Sequence, residues 1–157
     1  METLPDGFVA ELEAVLGADG LRYSDAQKAV YASDAYTLEK SLPGVVALPR
    51  TTDEVSSVMR LCHKRGVPVV PRGAGTGLAG GSTTGGDAVL LCLSRMNRVL
   101  SIDLPNHCLR AQAGAINIQL TKAVAADGYQ FAPDPSSQGA STIGGNIANN
   151  AGGPHTL

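Results

Sequence analysis

Val67-Pro68-Val69-Val70-Pro71-Arg72-Gly73-Ala74-Gly75-Thr76-Gly77-Leu78-Ala79-Gly80-Gly81-Ser82 runs from a short β-branched segment straight into five glycines within nine residues. The first part predicts a strand over residues 67–70. Glycines in the second part permit positive φ and let backbone N–H groups close around a ligand, which is how a concave nest holds a phosphate. A flexible surface loop is the plain alternative, and it does not need this density of glycine. Gly75-x-Gly77-x-x-Gly80 satisfies G-x-G-x-x-G, but a dinucleotide fold requires a helix to open there, and Gly80-Gly81-Ser82-Thr83-Thr84-Gly85-Gly86 is no helix. The same stretch resembles a Walker A run with Gly81 standing where the phosphate-binding Lys belongs, so that chemistry is missing too.

Upstream, Thr51 and Glu54 have the spacing of a capping box, and Val55, Val58, Met59 and Cys62 mark one helical face. His63, Lys64 and Arg65 suit the negative end of the helix dipole, and Gly66 is a natural stop. Residues 45–48 form a short apolar run before this helix. Strand, helix and strand in that order predict a right-handed βαβ unit with the two strands parallel. Farther upstream, Phe8, Leu12, Val15 and Leu16 predict an amphipathic helix over residues 6–16, and Ser24 with Gln27 caps a short helix reaching Tyr31.

Downstream, residues 88–93 predict a strand. Residues 99–104 turn through Pro105-Asn106 into residues 108–113 as a hairpin. A helix from about Ala115 carries Ile116, Leu120 and Val124 inward and stops at Gly128. From Pro135 to Leu157 there is no Lys, Arg, Asp or Glu. Such a tail is expected to cover a ligand or to pair with further chain. It follows a second polar, glycine-rich segment, Pro133-Asp134-Pro135-Ser136-Ser137-Gln138-Gly139-Ala140-Ser141-Thr142-Ile143-Gly144-Gly145-Asn146-Ile147-Ala148-Asn149-Asn150-Ala151-Gly152-Gly153. Its hydroxyls, amides and open backbone suit a flat polar heterocycle with ribityl and phosphate arms, which describes a flavin.

The 157 residues fit one domain or a piece of something larger. Hydrophobic residues make up 43%, enough for a core, and a formal charge of -2 offers no basic face to a phosphate backbone. Aromatics at 4%, with no Trp, leave little for base stacking, so nucleic acid is excluded as the expected partner. Cys62, Cys92 and Cys108 form no metal or redox motif and are read as core thiols. No apolar run reaches membrane-spanning length and the start has no leader pattern. The protein is therefore read as cytoplasmic, with a peripheral place on the inner face of a membrane allowed.

Three motifs in order carry a resemblance: residues 67–78, Ala132-Pro133-Asp134-Pro135-Ser136-Ser137, and Ile143-Gly144-Gly145-Asn146 through Asn149-Asn150-Ala151-Gly152-Gly153. Together they resemble the FAD-linked oxidases of the vanillyl-alcohol oxidase and p-cresol methylhydroxylase (PCMH) superfamily, in the branch of the glycolate oxidase flavin subunit and D-lactate dehydrogenase. The resemblance implies an α+β fold, an FAD-binding PCMH-type subdomain with a small βαβ parallel sheet followed by further strands and a helix, incomplete at its C-terminus. Residues 1–40 would be an N-terminal helical segment and residues 41–157 the first part of the PCMH-type domain.

By that resemblance Pro71, Arg72, Gly73, Ala74, Gly75, Thr76, Gly77 and Leu78 surround the FAD pyrophosphate. Pro133, Asp134, Pro135, Ser136 and Ser137 lie along the flavin, and Ser141, Thr142, Gly144, Gly145, Asn146 and Asn149 form a third wall. Family members with covalent flavin carry a His that aligns with Thr76, so non-covalent FAD is implied. The implied reaction oxidises a small-molecule 2-hydroxy acid of the glycolate or D-lactate type to a 2-oxo acid. An iron–sulfur or other electron-transfer subunit is the implied partner. Substrate-binding, catalytic and metal-binding residues of the family belong to a region beyond this sequence, so none is assigned here. His63, His107 and His155 are read as structural. The rival reading is a non-catalytic flavin or nucleotide-binding module acting in a complex.

Overall fold

The structure, a computed structural model, describes residues 3–156 and divides into two units, Met1–Arg95 and Met96–Leu157. In the first, helix α1 (Phe8–Leu16), strand β1 (Leu21–Arg22), helix α2 (Asp25–Lys28), strand β2 (Val45–Ala47), helix α3 (Thr52–Arg65), strand β3 (Val69–Arg72) and strand β4 (Val89–Cys92) follow in order. The sheet order is β1-β2-β4-β3, with β1 antiparallel to β2 and the other pairs parallel. The expected βαβ unit is present, and β4 lies between its two strands, pairing Val89 with both Val45 and Val69.

The central position of β4 explains its composition. All four of its residues are buried, as a strand covered on both faces demands. On one face Val45, Ala47, Val89 and Leu91 pack with Phe8, Leu12 and Leu16 of α1 and with Val58 and Cys62 of α3. On the other, Val46, Leu48, Leu90 and Cys92 pack with Val70 and Tyr31.

The caps of α3 set where the strands begin. Thr51 Oγ1 accepts from Glu54 N (3.1 Å), while the Glu54 carboxylate reaches back to Arg50 N (2.6 Å) instead of the expected Thr51. Gly66 sits at φ 66, and Val67 N donates to Cys62 O (2.9 Å). That closing bond keeps Val67 out of the sheet and Pro68 has no N–H, so the strand runs Val69–Arg72 rather than 67–70. Met59, expected on the buried face of α3, is 45% exposed because only Val58 and Cys62 point fully at the sheet. The capping box at Ser24 and Gln27 forms as expected, and α2 continues through a 3-10 turn to Tyr31.

In the second unit, β5 (Val99–Asp103) and β6 (Cys108–Ala111) form an antiparallel hairpin with an irregularity between Val99 and Ser101. His107 takes φ 53 in its turn, where His107 N donates to Leu104 O (3.1 Å). Helix α4 (Asn117–Val124) buries Leu120 and Val124, and Ile116, half-buried, is its N-cap rather than an inward helical residue. Gly128 ends the following 3-10 turn at φ 81, as its position predicts. A further helix, α5 (Ile143–Ala148), lies inside the second glycine-rich segment, where none was expected.

Of the three cysteines expected in the core, Cys62 and Cys92 are buried and Cys108 is exposed. Cys108 opens an outer hairpin strand with solvent on one side, and its Sγ reaches only Asn106 O (3.2 Å). Among the described residues no helix is long and apolar enough to cross a membrane.

Candidate functional site

The glycine loop leaves the sheet at the C-terminal end of β3, and its shape follows from one buried cation. Arg72 is 8% exposed; its Nη2 donates to Ser33 O (2.9 Å) and its Nη1 to Ser82 O (3.2 Å). The guanidinium also stands 5.9 Å from the centre of the Tyr31 ring, whose hydroxyl is pushed above its ordinary pKa first by burial and then by Cys92. Ala35 N donates to Gly75 O (2.9 Å), and the Cys92 thiol lies 3.8 Å from Gly73 O. A second buried charge, Asp34, accepts from Tyr36 N (2.8 Å) and from the Ser82 hydroxyl (3.4 Å).

These contacts sort the loop's backbone by polarity. The carbonyls of Gly73, Gly75, Gly80 and Ser82 accept from protein donors. Among the described residues, no N–H from residue 74 through residue 82 donates to a protein acceptor. Nine successive N–H groups without a protein acceptor, beside the bonded carbonyls of Gly75, Gly80 and Ser82, have the polarity of an anion cradle. Gly75 has a structural reason to be glycine: at φ +70, a Cβ would stand 2.6 Å from Arg72 Cζ and 3.1 Å from its Nε. Gly77 has no such reason, since the only heavy atom a Cβ would meet is Asp34 Oδ2 at 4.0 Å. Pro71, Ala74 and Leu78 are exposed, while Thr76 is half-buried.

In the second unit the predicted residues fall into two groups. Thr142 caps α5 through Gly145 N (3.3 Å), and an isolated antiparallel bridge joins Thr142 to Ile116. Gly144 N donates to Ala113 O (2.8 Å), an approach so close that a Cβ on Gly144 would meet Ala113 Cβ and O at 2.9 Å. Ser141, Thr142 and Asn146 are buried, whereas Asn149 is exposed and bonds Gly145 O through Nδ2 (2.9 Å). Ser141 Oγ, Asn146 Nδ2 and both side-chain polar atoms of Asn117 are buried with no protein partner.

The other group centres on Asp134. Its N–H donates to Gly152 O (2.8 Å), and its carboxylate accepts from His155 N (3.2 Å) and pairs with His155 Nδ1 (2.5 Å). The His155 side-chain bond holds the Asp134 carboxyl below its ordinary pKa. Pro133 is half-buried, Pro135 buried, Ser136 exposed, and the Ser137 carbonyl accepts from Ala140 N and Ser141 N. Within the uncharged tail, Gly152 and His155 thus bond Asp134, and residues 143–148 form the capped helix α5. His63 lies in the last turn of α3 and His107 at the hairpin turn, where its Nε2 stands 3.3 Å from the Tyr129 hydroxyl.

Sequence reasoning missed Asp34, Tyr31, Ser82 and Asn117. Asp34 carried a faint signal, because an Asp two residues before the N–H it captures is an Asx-turn pattern. Nothing local marks its burial. Among the described residues, no group of three His, Cys, Asp or Glu is placed to hold a metal.

Comparison with known proteins gives a consistent result. Residues 43–157 match a family described as "FAD binding domain". The glycolate oxidase subunit GlcD of Bacillus subtilis (strain 168) is 41% identical over 143 residues, covering 91% of this chain and 30% of that protein. The D-lactate dehydrogenase of Anaerostipes hadrus is 39% identical over 114 residues, covering 73% of this chain and 24% of that one. A solved structure of alkyldihydroxyacetonephosphate synthase superposes with a TM-score of 0.84 at 26% identity, covering 94% of this chain and 29% of that chain. p-Cresol methylhydroxylase, with a TM-score of 0.74 at 19% identity over 92% of this chain and 30% of its own, shares the fold. The chain therefore spans about a third or less of the length of the proteins it matches.

Proposed function

The chain belongs to the FAD binding domain family, and from that premise we propose that it is the cofactor-holding portion of an enzyme oxidising a 2-hydroxy acid to a 2-oxo acid. The observation that carries the proposal is the loop of residues 74–82, whose N–H groups face no protein acceptor while the carbonyls of Gly75, Gly80 and Ser82 are bonded. This polarity fits the pyrophosphate of FAD. In the second unit, the unpartnered Ser141, Asn146 and Asn117 groups mark a polar interior beside the start of α5, and the exposed Ser136 and Asn149 supply open hydrogen-bonding groups.

FAD, when bound, supplies the acceptor for the two electrons leaving the substrate's hydroxyl carbon. The chain's own residues have narrower tasks. Residues 74–82 present donors to the diphosphate, and Arg72 fixes their direction by holding the carbonyls of Ser33 and Ser82. The Asp134–His155 pair fastens the segment from Pro133 to Ser137 to the chain after α5. Thr76 has no nucleophilic nitrogen, so the cofactor is held non-covalently. Relatives named glycolate oxidase subunit and D-lactate dehydrogenase support glycolate or D-lactate as the substrate class. The word "subunit" in the relative's name supports a complex, and an iron–sulfur or other electron-transfer subunit is the partner we propose. The cytoplasm, or the inner face of a membrane, is the proposed location.

The test is a polypeptide carrying this chain within its longer parent. It is expected to purify yellow, to release all its FAD on acid precipitation, and to reduce an artificial acceptor with D-lactate or glycolate. A colourless protein that ignores added FAD would refute the assignment, and flavin left on the denatured chain would refute non-covalent binding.

A further inference from the structure

Asp34 lies outside the segment that matches the family, yet it sits under the glycine loop. Asp34 is 5% exposed, and among the described residues none of the ion pairs includes it. A buried carboxylate is costly unless it organises donors, because desolvation penalises the charged form. Its two acceptor bonds go to different places: Oδ1 takes Tyr36 N, closing a turn in its own segment, and Oδ2 takes the hydroxyl of Ser82 on the far side of the loop. The residues flanking Asp34 complete the arrangement, with Ser33 O held by Arg72 and Ala35 N held by Gly75 O. Three consecutive residues, 33–35, thus grip three separate points of the loop: its start at Arg72, its middle at Gly75, and its end at Ser82.

We propose that Asp34 is a positioning residue for the glycine loop: it holds Ser82 and its own turn so that the N–H groups of residues 74–82 stay turned away from the protein and toward an anionic ligand. The proposal rests on the reading of this loop as the FAD pyrophosphate cradle. Its mechanism is geometric. The two acceptor oxygens of Asp34 hold Tyr36 N and the Ser82 hydroxyl, which fixes the loop's end against residues 33–36 and leaves the backbone donors to do the binding.

The experiment compares the 15N-labelled 157-residue chain with its Asp34→Ala, Asp34→Asn and Ser82→Ala variants. In the ligand-free proteins, backbone order parameters of residues 74–82 and the exchange rate of the Ala35 amide are measured by NMR. Inorganic pyrophosphate and FAD are then titrated separately against the longer parent polypeptide carrying the same substitutions. Asp34→Ala is expected to loosen residues 74–82, to raise Ala35 exchange at least tenfold, and to weaken FAD binding about tenfold. Asp34→Asn keeps an oxygen for Tyr36 N and places an amide against the Ser82 hydroxyl, so it is expected to restore all three values to within about twofold of wild type. Unchanged loop order in Asp34→Ala would overturn the proposal, and so would Asp34→Asn behaving like Asp34→Ala, which would assign the role to the charge. If Asp34→Ala loses its thermal transition, Ser82→Ala carries the test, since it removes one hydroxyl; wild-type order and affinity in that variant would overturn the proposal. A wild-type parent that binds neither probe, with a loop that still loosens in Asp34→Ala, would support the positioning role and refute the cradle reading.

Discussion

Gly75→Ala and Gly77→Ala separate what the loop needs in order to fold from what it needs in order to bind. At Gly75 two costs combine. A left-handed backbone disfavours Ala by about 1 kcal/mol, and the new Cβ would meet Arg72 Cζ at 2.6 Å. The guanidinium cannot simply swing aside, because it is bonded to Ser33 O and Ser82 O. Giving up one such charge-assisted bond costs roughly 2 kcal/mol. The sum is about 3 kcal/mol, or a fall of roughly 6–12 °C in Tm for a chain this size. At Gly77 the φ is ordinary and the nearest atom lies 4.0 Å from the new Cβ, so the ligand-free protein should change by no more than about 0.5 kcal/mol. Gly77 is nonetheless exposed and lies within the run of N–H groups that face no protein acceptor, so a side chain there is expected to weaken FAD binding by on the order of 1–3 kcal/mol. Thermal unfolding followed by circular dichroism without ligand, and flavin fluorescence titration, read the two effects. Wild-type melting of Gly75→Ala would refute the Arg72 argument. Equal FAD affinity of Gly77→Ala and wild type would refute the placement of the pyrophosphate.

Three further outcomes are expected. The Asp134 carboxyl is held below its ordinary pKa, so the clasp with His155 stabilises the fold above the ordinary carboxylate range and is lost as pH falls through the lowered value; His155→Ala should move the Asp134 titration upward, seen in its carboxylate carbon shift, and an unmoved titration would contradict the hydrogen bond. Near pH 8 a maleimide should label Cys108 rapidly and leave Cys62 unmodified, because burial lifts the Cys62 thiol to about 11; mass spectrometry showing the reverse order would place Cys62 outside the core. Thr142→Ala removes the side-chain cap of α5 and should cost about 1 kcal/mol, checked by urea unfolding, and no loss would mean the helix holds without its cap.

Much of the first unit was legible because its signals are local. The capping box of α2, the Thr51 cap of α3 and the stop at Gly66 need only neighbours a few residues away and formed where the sequence put them, whereas the Glu54 carboxylate slipped by one residue to Arg50 N. The insertion of β4 between β2 and β3 was not legible, since strand order depends on which apolar faces find cover and not on any single segment. Helix α5 was hidden by Gly144 and Gly145, poor helix formers that are tolerated because Ala113 presses against the first of them. At the site, the glycine density pointed to a cradle, but the grip that shapes it joins residues 33–35 to Arg72, Gly75 and Ser82. Contacts spanning some forty residues leave no periodic trace. Ser141 and Asn146 read as wall residues from their chemistry, whereas their burial depends on how α5 lies against residues 113–117.

The adjacency of β3 and β4 gives the glycine loop a duty unrelated to any ligand. Parallel neighbours must be joined by a strand-length return path, commonly a helix and at least a dozen residues long. Here the sixteen residues 73–88, without a helix, are that return path. The segment is therefore under two length requirements at once, one from the anion it would encircle and one from the distance the chain must travel back along the sheet. Substitutions within it can retune binding while the fold stands, but a deletion of about six residues around Gly81 would leave fewer than the dozen that a parallel connection needs, draw β4 out of register with β2 and β3 together, and so dismantle the sheet's centre from its surface.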